Sequence, residues 1–240
     1  MQFALVCGAS GDIGGAIAND LANQGWSLYL QYNQNTERIN EMLVKLANNF
    51  PKQEFIPVKC DFTKQKSVKN LVAQIFSLDA IIFAQGTSKY KLFSEFNENE
   101  IESMWLEHVR TPIMLVQSLV SKFSSKTGRI VFVGSVYGAV GSAMEVPYSM
   151  LKGAQSAFVN AYAKEVASLN ITVNCVAPGA VNTKMNKDFT VEEQVNVENE
   201  IPMGRFAKPA EISSVVLNLL DARSSYITGQ TIYVDGGWLK

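Results

Sequence analysis

Three side chains in the middle of the chain, Ser135, Tyr148 and Lys152, have the types and spacing that hydride chemistry on a carbonyl needs. Tyr148 and Lys152 stand four apart in Tyr148-Ser149-Met150-Leu151-Lys152, and positions i and i+4 of a helix share one face. An ammonium beside a phenol favours the phenolate and lowers a pKa that is ordinarily about 10. The spacing therefore predicts a tyrosine able to exchange a proton near neutral pH. Ser135 follows the strand-like run from Arg129 to Gly134, which would bring its hydroxyl out at a strand's carboxyl edge, where open parallel sheets bind ligands. A pair on an ordinary helix surface would show the same Tyr-x-x-x-Lys spacing, so the surrounding elements have to decide.

Those elements alternate. Phe3 to Cys7 reads as a strand, a glycine-rich turn follows, and Ile13 to Gln24 reads as a helix. The order repeats with strands at Ser27 to Gln31, Phe55 to Val58 and Ala80 to Ala84, and helices at Asn35 to Asn49 and Lys66 to Phe76. A long helix from Glu100 to Phe123 is followed by a strand at Ile130 to Val133, and then by the helix of Tyr148, reaching about Ser168. Strand Thr172 to Val176, a helix at Ala210 to Leu220 and strand Thr231 to Val234 complete the chain. Short, wholly apolar strands alternating with helices predict an α/β fold, a parallel sheet covered on both faces, in a single domain spanning 1–240. The irregular stretch from Gly179 to Pro209 is long enough to form a lid over a site.

In Cys7-Gly8-Ala9-Ser10-Gly11-Asp12-Ile13-Gly14-Gly15, glycines let the backbone turn sharply and approach a pyrophosphate, whose charge the following helix N-terminus meets. Between a first strand and a first helix, such a turn is a dinucleotide signature. Asp12 is discordant there. Its carboxylate would oppose a phosphate if it pointed inward, so it is expected to point away.

The 240 residues carry 21 basic and 22 acidic side chains, a net charge of -1, with no basic block. That balance argues against nucleic acid or an anionic membrane as partner and leaves small molecules or proteins. Cys7, Cys60 and Cys175 are odd in number and lie in apolar runs, which fits reduced core thiols in the cytoplasm rather than a disulfide framework. No apolar run reaches the roughly 18 residues of a membrane span, and no metal-ligating set is expected.

Taken together, the Gly8/Gly14 turn, Asp61, Ser135, Tyr148, Lys152, Pro178-Gly179, Thr183 and the terminal Ile227-Thr228-Gly229-Gln230 and Val234-Asp235-Gly236-Gly237 resemble the short-chain dehydrogenase/reductases over essentially the whole length. The resemblance implies a Rossmann-type, doubly wound sheet of seven strands. It makes Tyr148 the proton donor, Ser135 the hydrogen bond that orients it, and Lys152 both phenol tuner and cofactor-ribose ligand. Cofactor contacts would run from Gly8, Ser10, Asp12, Ile13 and Gly14 past Tyr32 and Asn33 to Asp61 and Phe62. They would continue at Ala84 and Gly86 and end at Pro178, Gly179, the Val181 backbone and Thr183, which hold the carboxamide. A strand-end turn for Asp61, meant for the adenine amine, and a helix cap for Thr183 are the plain alternatives.

Three departures stand out. Phe83-Ala84-Gln85-Gly86 replaces the family's Asn-Asn-Ala-Gly, losing polar groups beneath the central sheet. His108, the one histidine, takes the place of the active-site asparagine; it would either titrate near 6.5 and join a proton relay or pack within its helix. Gly11 stands where NADP users commonly carry arginine. Because Gln31-Tyr32-Asn33-Gln34-Asn35 offers no acid to bind the NAD ribose, NADP(H) is favoured, held by Asn33 and Gln34, with NAD(H) as a second option.

For the ketone, two resemblances compete. One is to the 3-oxoacyl-acyl-carrier-protein reductases of fatty acid synthesis, through Ile171-Thr172-Val173-Asn174 and the C-terminal segment; their carrier-docking positions match Lys126 and Leu169 here. The narrower one is to the elongation factor P 5-aminopentanone reductases, through Leu30 to Asn35, His108-Val109, Glu145 to Gln155, and Asp188-Phe189-Thr190 leading to Glu200-Ile201-Pro202. Glu145, with Asp188, Glu192 and Glu193 of the lid, would attract the ammonium of an aminopentanone and repel an anionic carrier; a solvated loop is the plain reading of Glu145. From another class, a non-catalytic nucleotide-binding sensor would keep the pocket without turnover. The family also implies a homotetramer through the long helices and last strand, with apolar faces around Met104, Leu115 and Phe158 compatible with burial between subunits; ordinary core packing would look the same in sequence.

Overall fold

Each apolar run becomes a strand, and the strands pair in parallel to give one sheet of order β3-β2-β1-β4-β5-β6-β7. The structure is a computed structural model and describes residues 1–123, 127–184 and 190–238. Strands β1 (Phe3–Cys7), β2 (Ser27–Tyr32), β3 (Phe55–Lys59), β4 (Ala80–Phe83), β5 (Gly128–Val133), β6 (Ile171–Pro178) and β7 (Thr231–Val234) are joined by crossover helices. These are α1 (Asp12–Asn23), α2 (Thr36–Asn49), α3 (Gln65–Gln74), α4 (Glu98–Trp105), α5 (Thr111–Leu119), α6 (Tyr137–Val140), α7 (Val146–Val166), α8 (Val191–Glu200) and α9 (Pro209–Leu220). The strand order reverses between β1 and β4, which opens a crevice beyond their carboxyl ends.

The period of two along each strand splits the core between the two faces. Val6, Ile82 and Val131 pack with Ile17 and Leu21 of α1 and Val216 of α9. Leu5, Phe83 and Phe132 face the other way, onto Leu71 of α3, Leu115 of α5 and Val159 of α7. Phe83 stacks on Phe132 with ring centroids 4.6 Å apart, so at this departure from the family pattern an aromatic pair holds β4 to β5. Asn174, fully buried, donates to the Ile227 carbonyl at 2.8 Å and accepts from the Gln230 N–H at 3.0 Å, fixing the turn that leads into β7.

Three expectations need correction. The predicted helix from Glu100 to Phe123 stays helical but is not uniformly α, because a π-helical segment at Leu106–Arg110 lies between α4 and α5. Its cause is Pro112: it has no N–H for the His108 carbonyl four residues earlier, and its ring crowds that carbonyl. Secondly, the stretch 179–209 contains helix α8, whose start is a capping box between Thr190 and Glu193. Val181 and Ala207 bridge near its two ends, so the excursion leaves and returns at one point beyond the carboxyl end of β6. Thirdly, Met104 and Leu115 are buried in the chain's own core and Phe158 packs against Phe132 and Tyr162. Exposed apolar side chains on these helices are instead Trp105, Met114, Val146 and Met150.

Phe132 touches both Phe83 and Phe158 and is 1% exposed. Replacing it with alanine should cost about 3–5 kcal/mol, read as a lower denaturant midpoint with an unchanged slope. A loss well under 1 kcal/mol would show that the pair does not organise the centre of the sheet.

Candidate active site

The crevice is walled by backbone that only glycine permits. Gly8 has φ +76°, and a Cβ there would lie 2.7 Å from the Gln85 backbone; a Cβ on Gly14 would lie 2.2 Å from the Gly8 carbonyl. The Gly8 N–H donates to Gln31 Oε1 at 2.8 Å, and Gln31 Nε2 donates to the Cys60 carbonyl at 2.8 Å. One buried amide thus ties the glycine turn to the ends of β2 and β3. Gly8, Ser10, Gly11, Gln31 and Asn33 line one side of the resulting cup, and Phe62, Ala84, Gly86 and Glu107 line the other. With Gln85 Oε1 buried and unpartnered beside it, the cup fits a polar ligand that runs along a glycine turn and onto a helix N-terminus, as a dinucleotide does.

Around the cup, the other predicted residues take definite partners. Asp12 gives its carboxylate to the Arg38 guanidinium at 2.8 Å and to the Lys184 N–H at 2.7 Å. Partial burial opposes the charge, yet these two donors hold the carboxyl below its ordinary range. Arg38 was not legible as a neighbour of the glycine turn, because it arrives from the first turns of α2. Tyr32 ends β2, and Ile13 packs against the core from the first turn of α1. Asp61 accepts from the Thr63 N–H at 3.0 Å, the Thr63 hydroxyl at 2.7 Å and Lys64 at 3.2 Å, which is the strand-end turn. At the far side, Pro178 closes β6 and the Gly179 N–H donates to Val234 at 3.1 Å. Val181 is buried and Thr183 half-buried, next to the Lys184 N–H that holds Asp12. Lys126 and Asp188 lie outside the described residues.

Beyond β5 the catalytic candidates converge. Gly138 lets α6 press on α7, since a Cβ there would come 2.8 Å from the Lys152 carbonyl carbon. The Ser135 hydroxyl accepts from the Tyr137 N–H at 3.2 Å and is the hydrogen-bonding neighbour that favours the Tyr148 phenolate. Lys152 Nζ donates to the Val133 carbonyl at 2.8 Å and lies 5.5 Å from the Tyr148 ring centre. Both side chains are buried, and burial works against the tuning that the spacing suggests. Burial raises the Tyr148 pKa far above its ordinary value, with Glu145 adding to the rise, and Ser135 offsets only part of it. Burial likewise pushes Lys152 down to about 8, with Cys175 and Glu107 opposing. An ammonium directed at a backbone carbonyl does not offset the desolvation of the phenol.

Of the two readings of His108, the structure shows the packed one. Its ring is fully buried, edge-on to Tyr148 with centroids 5.6 Å apart, and packs on Gly86, where a Cβ would lie 2.5 Å from Cε1. Nε2 faces the Thr87 carbonyl at 2.9 Å and the Thr87 N–H at 3.3 Å, and the tautomer sets whether it donates to the first or accepts from the second. Burial, aided by Lys152, pushes its pKa down to about 3, so it is neutral at physiological pH and does not titrate near 6.5. The His108 carbonyl, left open by Pro112, accepts from Gln155 Nε2 at 2.6 Å. Glu145 accepts from the Ser88 hydroxyl at 2.6 Å and the Ser142 hydroxyl at 3.2 Å.

A histidine that refuses a proton until about pH 3 when folded, against 6.5 as its ordinary value, makes the unfolded state bind one more proton between these limits. Stability should therefore fall as pH drops through that window, by up to about 1.4 kcal/mol per pH unit from this group. His108→Asn should make the acid limb of a stability-pH curve shallower by one proton. Superimposable slopes would contradict a buried neutral imidazole.

The enoyl-(acyl carrier protein) reductase family model, adh_short_C2, matches residues 8–239. An uncharacterized oxidoreductase of Bacillus subtilis, YmfI, is 41% identical over 239 residues, covering 99% of this chain and 98% of its own length. The 3-oxoacyl-[acyl-carrier-protein] reductase FabG of Rickettsia bellii is 32% identical over 239 residues, covering 99% and 97%. Among solved structures, YwfH, an NADPH dependent reductase involved in bacilysin biosynthesis, superposes with a TM-score of 0.92 at 26% identity, covering 100% of this chain and 98% of its own. The glycine-walled cup, the Ser135, Tyr148 and Lys152 cluster and these full-length matches agree: the chain belongs to the classical short-chain dehydrogenase/reductase family.

Proposed function

We propose that this protein is an NADPH-dependent reductase that turns a ketone into an alcohol, and that the ketone is the 5-aminopentanone group on modified elongation factor P. The observation that carries the finer reading is Glu145. It stands three residues before Tyr148, held by Ser88 and Ser142, and its charge acts on the phenol. A carboxylate so placed attracts a substrate ammonium and repels an anionic acyl carrier. Exposed Leu169 at a carrier-docking position supplies no cation to offset that repulsion.

When bound, the reduced nicotinamide supplies hydride to the carbonyl carbon. Tyr148, kept protonated by burial, is in the form needed to give a proton to the carbonyl oxygen. Ser135 shares that oxygen with the phenol. Lys152, fixed to the end of β5, stabilises the phenolate as it forms and holds a ribose hydroxyl of the cofactor. The segment 179–209 acts as the lid, with Asp12 tethering its base through Lys184. NADPH fits better than NADH because the end of β2 carries no acid and Arg38 lies at the glycine turn. Assembly is as a homotetramer, with Trp105, Met114 and Met150 on the faces that meet.

A second reading, reduction of 3-oxoacyl groups on acyl carrier protein, is favoured by the 32% identity to FabG. Turnover of modified elongation factor P should exceed that of acetoacetyl-acyl carrier protein; efficient use of the carrier substrate alone would reverse the ranking. Glu145→Gln should raise KM for the aminopentanone about tenfold with kcat little changed, and leave the carrier substrate unaffected. Tyr148→Phe should lower turnover by about 10²–10⁴ with NADPH binding nearly intact. NADPH bound but not consumed with either ketone would favour the nucleotide sensor instead.

A further inference from the structure

Hydrogen bonds strap the loop that follows β4 across the site, from the π-helical segment to the start of α7. At its root, Gln85 Nε2 donates to the Glu107 carbonyl at 3.2 Å and the Thr87 hydroxyl donates to the Glu107 carboxylate at 2.7 Å. The His108 ring packs on Gly86 between them. Gln85 and His108, two departures from the family pattern, therefore fix where this loop begins. Farther along, the Ser88 hydroxyl donates to Glu145 Oε1 at 2.6 Å, and the Lys91 N–H donates to the Met144 carbonyl at 2.9 Å. Lys91 is anchored in turn, with Nζ 2.6 Å from Glu100 in the first turn of α4.

Met144 has φ +63°, a left-handed backbone that a residue with a side chain keeps only where its surroundings hold it. The bond from Lys91 is such a hold. Glu145, the next residue, stands at the start of α7 yet gives its free N–H groups no side-chain cap. Its carboxylate accepts from Ser88 and Ser142 instead, both uncharged, and no ion pair reaches it among the described residues. Ser142 belongs to the same short loop as Glu145, so Ser88 is the partner that fixes the carboxylate against the opposite wall. The charge is felt at the reacting centre, where it adds to the rise of the Tyr148 pKa. Resting on the proposed reading that the substrate carries an ammonium, we infer that Ser88 is a positioning residue: it aims the Glu145 carboxylate at that ammonium. It acts through the direction of one charge, and so on the binding of a cationic ketone rather than on the hydride step.

The test is steady-state kinetics with NADPH on modified elongation factor P and on ethyl acetoacetate, a ketone without charge. The proteins are the wild type, Ser88→Ala, Ser88→Thr, Glu145→Gln and the double variant Ser88→Ala/Glu145→Gln. Ser88→Ala should raise KM for the elongation factor about fivefold with kcat little changed, and leave both constants for ethyl acetoacetate as they are. Ser88→Thr keeps the hydroxyl and should bring KM back to near the wild-type value. In the Glu145→Gln background, Ser88→Ala should add nothing, since the two side chains act as a unit. An unchanged KM for the elongation factor in Ser88→Ala, an equal rise for both ketones, or a full further loss in the double variant would overturn the assignment while Glu145→Gln still raises KM. If Glu145→Gln alone leaves that KM unchanged, the reading of the substrate falls first and the role of Ser88 falls with it.

Discussion

The bond from Lys152 Nζ to the Val133 carbonyl, 2.8 Å long and closed off from solvent, joins the helix that carries Tyr148 to the strand that delivers Ser135. The rest of the site is arranged around that buried ammonium. Gly138 allows α6 to press on the Lys152 backbone, and Tyr148 and Leu151 pack with Met104 and Val109 on the same wall. Burial of this kind has an electrostatic consequence that outweighs proximity. Burial raises the pKa of the phenol and lowers that of the lysine to about 8, because water that would solvate either charge is excluded. A site in this condition is set for reduction: the donor holds its proton, and an alkoxide forming on the substrate is a far stronger base than a phenolate.

A second constraint runs through Pro112. By denying the His108 carbonyl its helical partner it puts a π-helical turn into the long wall helix, and Gln155 of α7 takes up the open acceptor. The wall helix is thereby fastened to the catalytic helix, through main chain on one side and a buried amide on the other. The imidazole on the same residue fastens it to the loop after β4. The π segment sets Glu107 in the cup and the His108 ring edge-on to Tyr148.

Strand positions were legible because seven short apolar runs alternate with amphipathic helices, and β7 falls at Thr231–Val234 as read. The glycine turn was legible too, since a backbone at positive φ beneath another backbone has few solutions besides glycine. What spacing alone misjudged was the sign of the Tyr148 shift. Four-residue spacing shows that two side chains share a face but says nothing about how much water reaches them. Arg38, Gln31 and Glu107 were missed because their roles depend on long-range approach of elements far apart in the chain. Two signals were present and passed over: Pro112 within an apparently continuous helix, and Thr190 three residues before Glu193 at the start of α8.

The claim that burial, not the neighbouring ammonium, sets the charge of the phenol is tested most directly by titrating Tyr148 in the ligand-free protein. Isotope-labelled tyrosine would be followed by NMR, with Tyr148→Phe identifying the resonance. The account predicts a phenol that remains protonated through neutral pH and ionises above the ordinary phenol value of about 10. A Tyr148 phenolate appearing near neutrality would contradict it.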